Sequence, residues 1–137
     1  MNGFLLDTNV VSELRKGERC AAKVSAWAST VPSNQDFLSV IVVGELRRGS
    51  ILKQRSDPAA ADALEKWIAR LIQLYSERIL PITLEIAYEW GRLSAMRPIP
   101  PEDGLLAATA HVHRLTFATR NTRNVEGLGI SFVNPWT

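Results

Sequence analysis

A single cysteine, Cys20, stands among 137 residues. One thiol closes no internal disulfide and builds no multi-cysteine zinc site, so a reducing cytoplasm is the expected compartment. The two histidines, His111 and His113, are two positions apart and would not share a helix face, which argues against a paired-imidazole metal site. No apolar run approaches the roughly 18 residues that cross a bilayer, so no membrane span is expected. The N-terminal stretch is not that of a secretory signal, because Asp7 and Glu13 interrupt it. Charge of one sign is scarce as well. Sixteen Lys and Arg against fourteen Asp and Glu leave +2, which permits contact with a polyanion without demanding one. Repeats, low-complexity tracts and linkers are absent, and residues 1–137 are expected to form one domain.

What remains is an ordinary globular composition, 46% hydrophobic and 22% charged, able to bury a core. Short apolar runs at residues 3–6, 36–40, 79–80, 115–119 and 130–133 read as strands or strand-like segments. Between them lie helical patterns at 9–15, 21–29, 42–53, 58–75, 84–96 and 102–113. Gly17 closes the first of these. Asp57 followed by Pro58 opens the longest, in which Leu64, Trp67, Ile68, Leu71, Ile72 and Tyr75 recur at steps of three and four. Strands alternating with helices predict an α/β fold, a mainly parallel sheet with helices on both faces. Ligands of such sheets bind at the carboxyl ends of the strands.

Three acids fall at comparable places in this arrangement. Asp7 ends the first strand. Glu45 lies within the first turn or so of the helix after the second strand. Asp103 opens the alanine-rich helix. Taken singly, each has a capping explanation, because acids near helix N-termini are favoured by free N–H groups and the macrodipole. Taken together they are harder to dismiss. Clustered carboxylates repel, and burying them unpaired is costly. A hard divalent cation, Mg²⁺ or Mn²⁺, relieves that cost with oxygen ligands, and the matching chemistry is phosphodiester hydrolysis.

At these residues the chain resembles the PIN-domain ribonucleases, and within them the VapC-like toxins of the FitB-like branch. Four segments carry the likeness in the family's order: Leu5-Leu6-Asp7-Thr8-Asn9-Val10, Gly44-Glu45-Leu46-Arg47-Arg48-Gly49, Asp103-Gly104-Leu105-Leu106-Ala107-Ala108, and Ala118-Thr119-Arg120-Asn121 with the closing Gly127-Leu128-Gly129-Ile130. The resemblance implies a PIN fold, a Mg²⁺- or Mn²⁺-dependent endoribonuclease, a homodimer or hetero-oligomer, and a cognate antitoxin that wraps and inhibits it and carries any DNA contact. It implies Asp7, Glu45 and Asp103 as the acidic, metal-holding triad, Asn9 as its buttress and Asn121 as a residue that positions water or phosphate. The chain departs from the family where a fourth acid often stands. Asn121 and Asn124 occupy that stretch, which favours a one-metal site.

The same departure motivates a second reading, a catalytically weak PIN-fold module that docks an antitoxin and contributes to operator binding. A receiver-like phosphoacceptor is disfavoured, because Asp7 is a lone acid at its strand end and no lysine follows Lys66. Arg114, Arg120 and Arg123 surround the last position and are the candidates for phosphate contact, while Arg47 and Arg48 divide evenly between partner contact and a solvated face. Trp27, Trp67, Trp90 and Trp136 do not interleave with basic residues and read as core or interface packing. The 58–75 helix is more apolar than one core-facing stripe requires, so it is expected, with the helix after it, to form an antitoxin groove or a dimer interface.

Overall fold

The computed structural model describes residues 3–137. Its sheet is built from β1 (Phe4–Leu6), β2 (Asp36–Ser39), β3 (Ile79–Leu80), β4 (Thr116–Ala118) and β5 (Phe132–Val133), in the order β3-β2-β1-β4-β5. Every pairing is parallel: Leu5 pairs with Phe37 and Phe117, Leu38 with Ile79, and Phe117 with Phe132. Parallel strands are covered on both faces, which is why β1 is apolar at three successive positions. Gly3 leads into β1 where a Cβ would fall 2.9 Å from both the Gln35 carbonyl oxygen and Leu115 Cδ2.

The helices are α1 (Thr8–Arg15), α2 (Ala22–Thr30), α3 (Val40–Gln54), α4 (Pro58–Leu74), α5 (Leu84–Met96) and α6 (Pro101–Val112). Local chemistry starts most of them. The side chains of Asp7, Ser39, Asp57 and Thr83 each accept a backbone N–H of the helix that follows, and Pro stands in the first turn of α4 and α6. Gly17, at φ +60°, turns the chain after α1.

From β1 the chain steps to β2 and β3 on one side, then returns across the sheet to β4 and β5 on the other. Right-handed crossovers therefore put α1–α4 on one face and α5 and α6 on the opposite face. Alanines 107, 108 and 110 of α6 are fully buried, and their small size lets that helix lie close against β1 and β4. The core gathers Leu5, Leu38, Leu93, Leu106, Phe117 and Val125 around the sheet. The direction of strand addition reverses between β1 and β4, so their carboxyl ends form the topological switch point. Asp7 and Thr119 are the residues that stand there.

Candidate active site

Asp7 leaves β1 with its backbone N–H donated to the Ala118 carbonyl at 2.9 Å, which joins the ends of β1 and β4. Asp7 as a whole is 4% exposed. Oδ1 accepts the Thr8 N–H at 2.7 Å and Oδ2 accepts the Thr119 hydroxyl at 2.7 Å. No ion pair reaches it among the described residues. Burial raises its pKa from the ordinary 3.8 to about 6, and the charges of Asp103 and Glu45 push in the same direction, against the lowering effect of the two hydrogen bonds. The capping role and the site role therefore coexist in one side chain.

Glu45 lies two residues deeper in its helix than expected. The polypeptide enters α3 at Val40, directly after β2 and capped by Ser39, so Glu45 is in the second turn. A first-turn capping explanation does not apply to it. It is half-buried, and Oε1 accepts the Thr8 hydroxyl at 2.8 Å. Thr8 thus bridges two acids, its N–H to Asp7 and its hydroxyl to Glu45.

Asp103 is the third residue of α6 and also half-buried. Burial, and then the neighbouring Glu102 charge, raise its pKa, while a hydrogen bond from Asn124 Nδ2 to Oδ2 at 2.6 Å opposes them. Asn124 ends the 3₁₀ turn Thr122–Asn124, which Arg97 holds by donating to the Arg123 and Glu126 carbonyls, both at 2.7 Å. The next residue, Gly104, lets α6 approach α5. A Cβ there would meet Trp90 Cδ1 at 2.9 Å.

The three asparagines make different contacts around the acids. Asn124 carries the side-chain bond to an acid. Asn121 is exposed and contributes its backbone N–H to Thr119 Oγ1 at 3.0 Å. Asn9 buttresses the loop, accepting the Arg120 N–H at 3.4 Å. Thr8, Thr119 and the Asn124 contact were not singled out from the sequence. Thr8 follows Asp7 and Thr119 precedes Arg120 in the matching segments, so position in the motif was the available signal.

The acids surround Asp7 closely enough to perturb it, yet they do not form a closed cage. Among the described residues, no three His, Cys, Asp or Glu side chains stand close enough together to hold one metal ion as placed. The donor chemistry does fit a hard cation. All donors are carboxylate oxygens, and an ionised carboxylate has about four accepting positions, of which Asp7 uses two and Glu45 and Asp103 one each in the bonds described.

The three arginines thought to surround the site separate. Arg114, at φ +57°, precedes β4 at the amino edge of the sheet, whereas Arg120 follows Thr119 at the other end of β4, its charge felt by Glu13, and Arg123 sits on the 3₁₀ turn. Arg47 is engaged with Glu65 of α4. All four tryptophans pack partly buried against the core, and two also carry a guanidinium: Arg15 over Trp67 and Arg120 over Trp136, the latter at 4.9 Å. Away from the acids, Ile72 and Leu74 of α4 are 41% and 68% exposed, and Leu84 and Tyr88 of α5 are 86% and 84% exposed. A pocket of about 140 Å³ between α1 and α4 is lined by Leu6, Val11, Leu14, Trp67, Leu71 and Leu74.

The PIN domain family model matches residues 4–126. Toxin FitB of Neisseria gonorrhoeae is 33% identical over 140 residues, covering 97% of this chain and 98% of that protein. VapC ribonuclease Y4jK of Sinorhizobium fredii is also 33% identical, covering 97% of each. The crystal structure of FitAcB from Neisseria gonorrhoeae superposes with a TM-score of 0.87 at 32% identity, covering 97% of this chain and 98% of that one. Among the described residues, no helix is long and apolar enough to cross a membrane.

Proposed function

The chain belongs to the PIN-domain family, and on that premise we propose that it is a metal-dependent endoribonuclease, the toxin of a toxin–antitoxin pair acting in the cytoplasm. The observation that carries this reading is Asp7: a buried carboxylate at the switch point, facing two further acids, with no ion-pair partner among the described residues. The names of the similar proteins, a toxin and a ribonuclease, support the same activity.

Asp7 and Asp103 would hold Mg²⁺ or Mn²⁺, with Glu45 as third ligand, direct or through water. When bound, the cation supplies an acidified water and a counter-charge for the phosphodiester. The remaining work belongs to the chain itself. Glu45, turned by Thr8, accepts a proton from or orients the attacking water. Thr119 and the Thr8 N–H keep Asp7 in one rotamer, and Asn124 does the same for Asp103. Asn121, on the rim, is assigned to water or phosphate placement.

A toxic nuclease needs an inhibitor, and the exposed apolar residues of α4 give a protein partner its purchase, while those of α5 lie on the opposite face of the sheet. The antitoxin is assigned to that surface, with a homodimer or hetero-oligomer as the assembled form and DNA reached only through the antitoxin. Size-exclusion chromatography giving a monomer both with and without antitoxin would count against this.

The direct test is cleavage of single-stranded RNA in Mg²⁺, Mn²⁺ or EDTA, with Asp7→Asn alongside. Cleavage that needs the metal and vanishes in the folded variant is expected; equal cleavage by the variant rejects the assignment. The open arrangement of the acids favours one other reading, a catalytically weak module that docks an antitoxin and contributes to operator binding. Calorimetric titration separates the two, because the module binds no Mg²⁺ or Mn²⁺ at millimolar concentration.

A further inference from the structure

We propose that Arg120, laid flat on the indole of Trp136, is a phosphodiester clamp that seats single-stranded RNA at the lip of the acidic pocket; this rests on the nuclease reading. The backbone on both sides of Arg120 is pinned to that pocket. Thr119 bonds Asp7, the Arg120 N–H bonds Asn9, and the Asn121 N–H returns to Thr119. The ring beneath is fixed as well. The Thr119 N–H donates to the Val133 carbonyl at 3.0 Å, which brings the C-terminal segment beside Arg120. The Trp136 N–H donates to Asn134 Oδ1 at 2.9 Å, after a buried Pro135.

The guanidinium stands 4.9 Å from the ring centroid and Arg120 is exposed. Stacking covers a face of the guanidinium and leaves its N–H edges free, the geometry that grips a phosphate with two bonds. It also removes rotamer freedom before the ligand arrives. Three other arginines are already neutralised, Arg47 by Glu65, Arg78 by Asp36 and Arg92 by Glu89, and Arg123 on the neighbouring 3₁₀ turn lies over no aromatic ring among the described residues. Arg120 has no ion-pair partner among the described residues. Glu13, the acid that feels its charge, is itself bonded to Lys16 Nζ and the Ala21 N–H. Arg15 on Trp67 also lacks a partner, but it lies at the far end of α1 from Asp7. A pocket of three carboxylates repels RNA, so an unspent cation at its edge offsets that repulsion where the strand must enter.

The test is binding of a fluorescent single-stranded RNA in EDTA, by anisotropy across a salt series, for the wild type, Arg120→Ala, Arg120→Lys, Trp136→Leu and Arg114→Ala. Arg120→Ala is expected to lose about tenfold in affinity and to reduce the slope of log affinity against log salt by about 0.7, one phosphate contact on a single strand. Arg120→Lys keeps the slope and loses affinity, because the charge survives and the planar fork does not. Trp136→Leu, with circular dichroism confirming its fold, does the same. Arg114→Ala, at the opposite edge of the sheet, matches the wild type. If Arg120→Ala binds with wild-type affinity and slope, the clamp is wrong while the nuclease reading stands. If the wild type itself neither binds nor cuts RNA, the nuclease reading fails and takes the clamp with it.

Discussion

Asp7 and Glu89 are both carboxylates in contact with hydrogen-bond donors, yet their environments drive them in opposite directions. Glu89 of α5 accepts from Arg92 Nε at 2.8 Å and Nη2 at 2.7 Å, and meets His111 of α6. The Arg92 bonds above all hold it down to about 2. Asp7, at the carboxyl edge of the sheet, has hydroxyl and amide donors but no ion-pair partner among the described residues, and burial holds it up at about 6. A carboxylate that completes an ion pair helps fasten two helices. One that is buried beside two others and left uncompensated costs stability, which a fold retains where the charge is needed for something else.

The difference predicts what each substitution does. Asp7→Asn should reduce RNA cleavage by about a thousandfold, the several kcal/mol of charge stabilisation expected from losing a metal ligand. It should not unfold the chain. A pKa raised in the folded state means stability that is full below 3.8 and is lost as pH rises through about 6, on the order of 3 kcal/mol. The amide lacks this penalty, so the melting temperature of Asp7→Asn relative to wild type should climb between pH 4 and pH 7.5. A constant difference would show that Asp7 is not strained by its charge.

Gly104→Ala tests the placement of Asp103. The new methyl meets the Trp90 ring at 2.9 Å, a rigid neighbour, so α6 must shift against α5. Thermal unfolding should show a loss of about 1–3 kcal/mol, with cleavage reduced beyond what the remaining folded fraction explains. Thr119→Val removes a donor from Asp7 without changing side-chain volume much. Stability should fall by about 1–2 kcal/mol, and the acidic limb of the pH–rate profile should move to higher pH, because the lost bond was one that lowered the Asp7 pKa. Glu89→Gln should have the smallest effect, about 1 kcal/mol or less at pH 7 for a surface pair. Its folded pKa is depressed, so its contribution is present above the ordinary 4.5 and fades as pH falls towards about 2. The gap between variant and wild type should close over that interval, with cleavage unaffected.

The parallel α/β architecture was legible in the sequence because each strand is a short apolar run and most helices carry their own start signals, as at Asp57-Pro58. The three acids could be singled out too, Asp7 and Glu45 because they end or follow such runs and Asp103 because it opens a helix. Their surroundings could not. Thr119 reaches Asp7 across 112 positions and Asn124 reaches Asp103 across 21, and no periodicity encodes a partner at those separations. The start of the helix that carries Glu45 was placed two residues late because Val40, β-branched and apolar, read as the end of a strand. Arg114 and Arg120 are six apart in sequence and flank the run read as a strand, so they lie at opposite ends of β4.

The measurement that tests the account most directly is the titration of the Asp7 carboxyl carbon by NMR, without divalent cation and then with Mg²⁺. The uncompensated site predicts a midpoint near 6 that falls well below it when Mg²⁺ is added. A midpoint near the ordinary 3.8, unmoved by the cation, would contradict it.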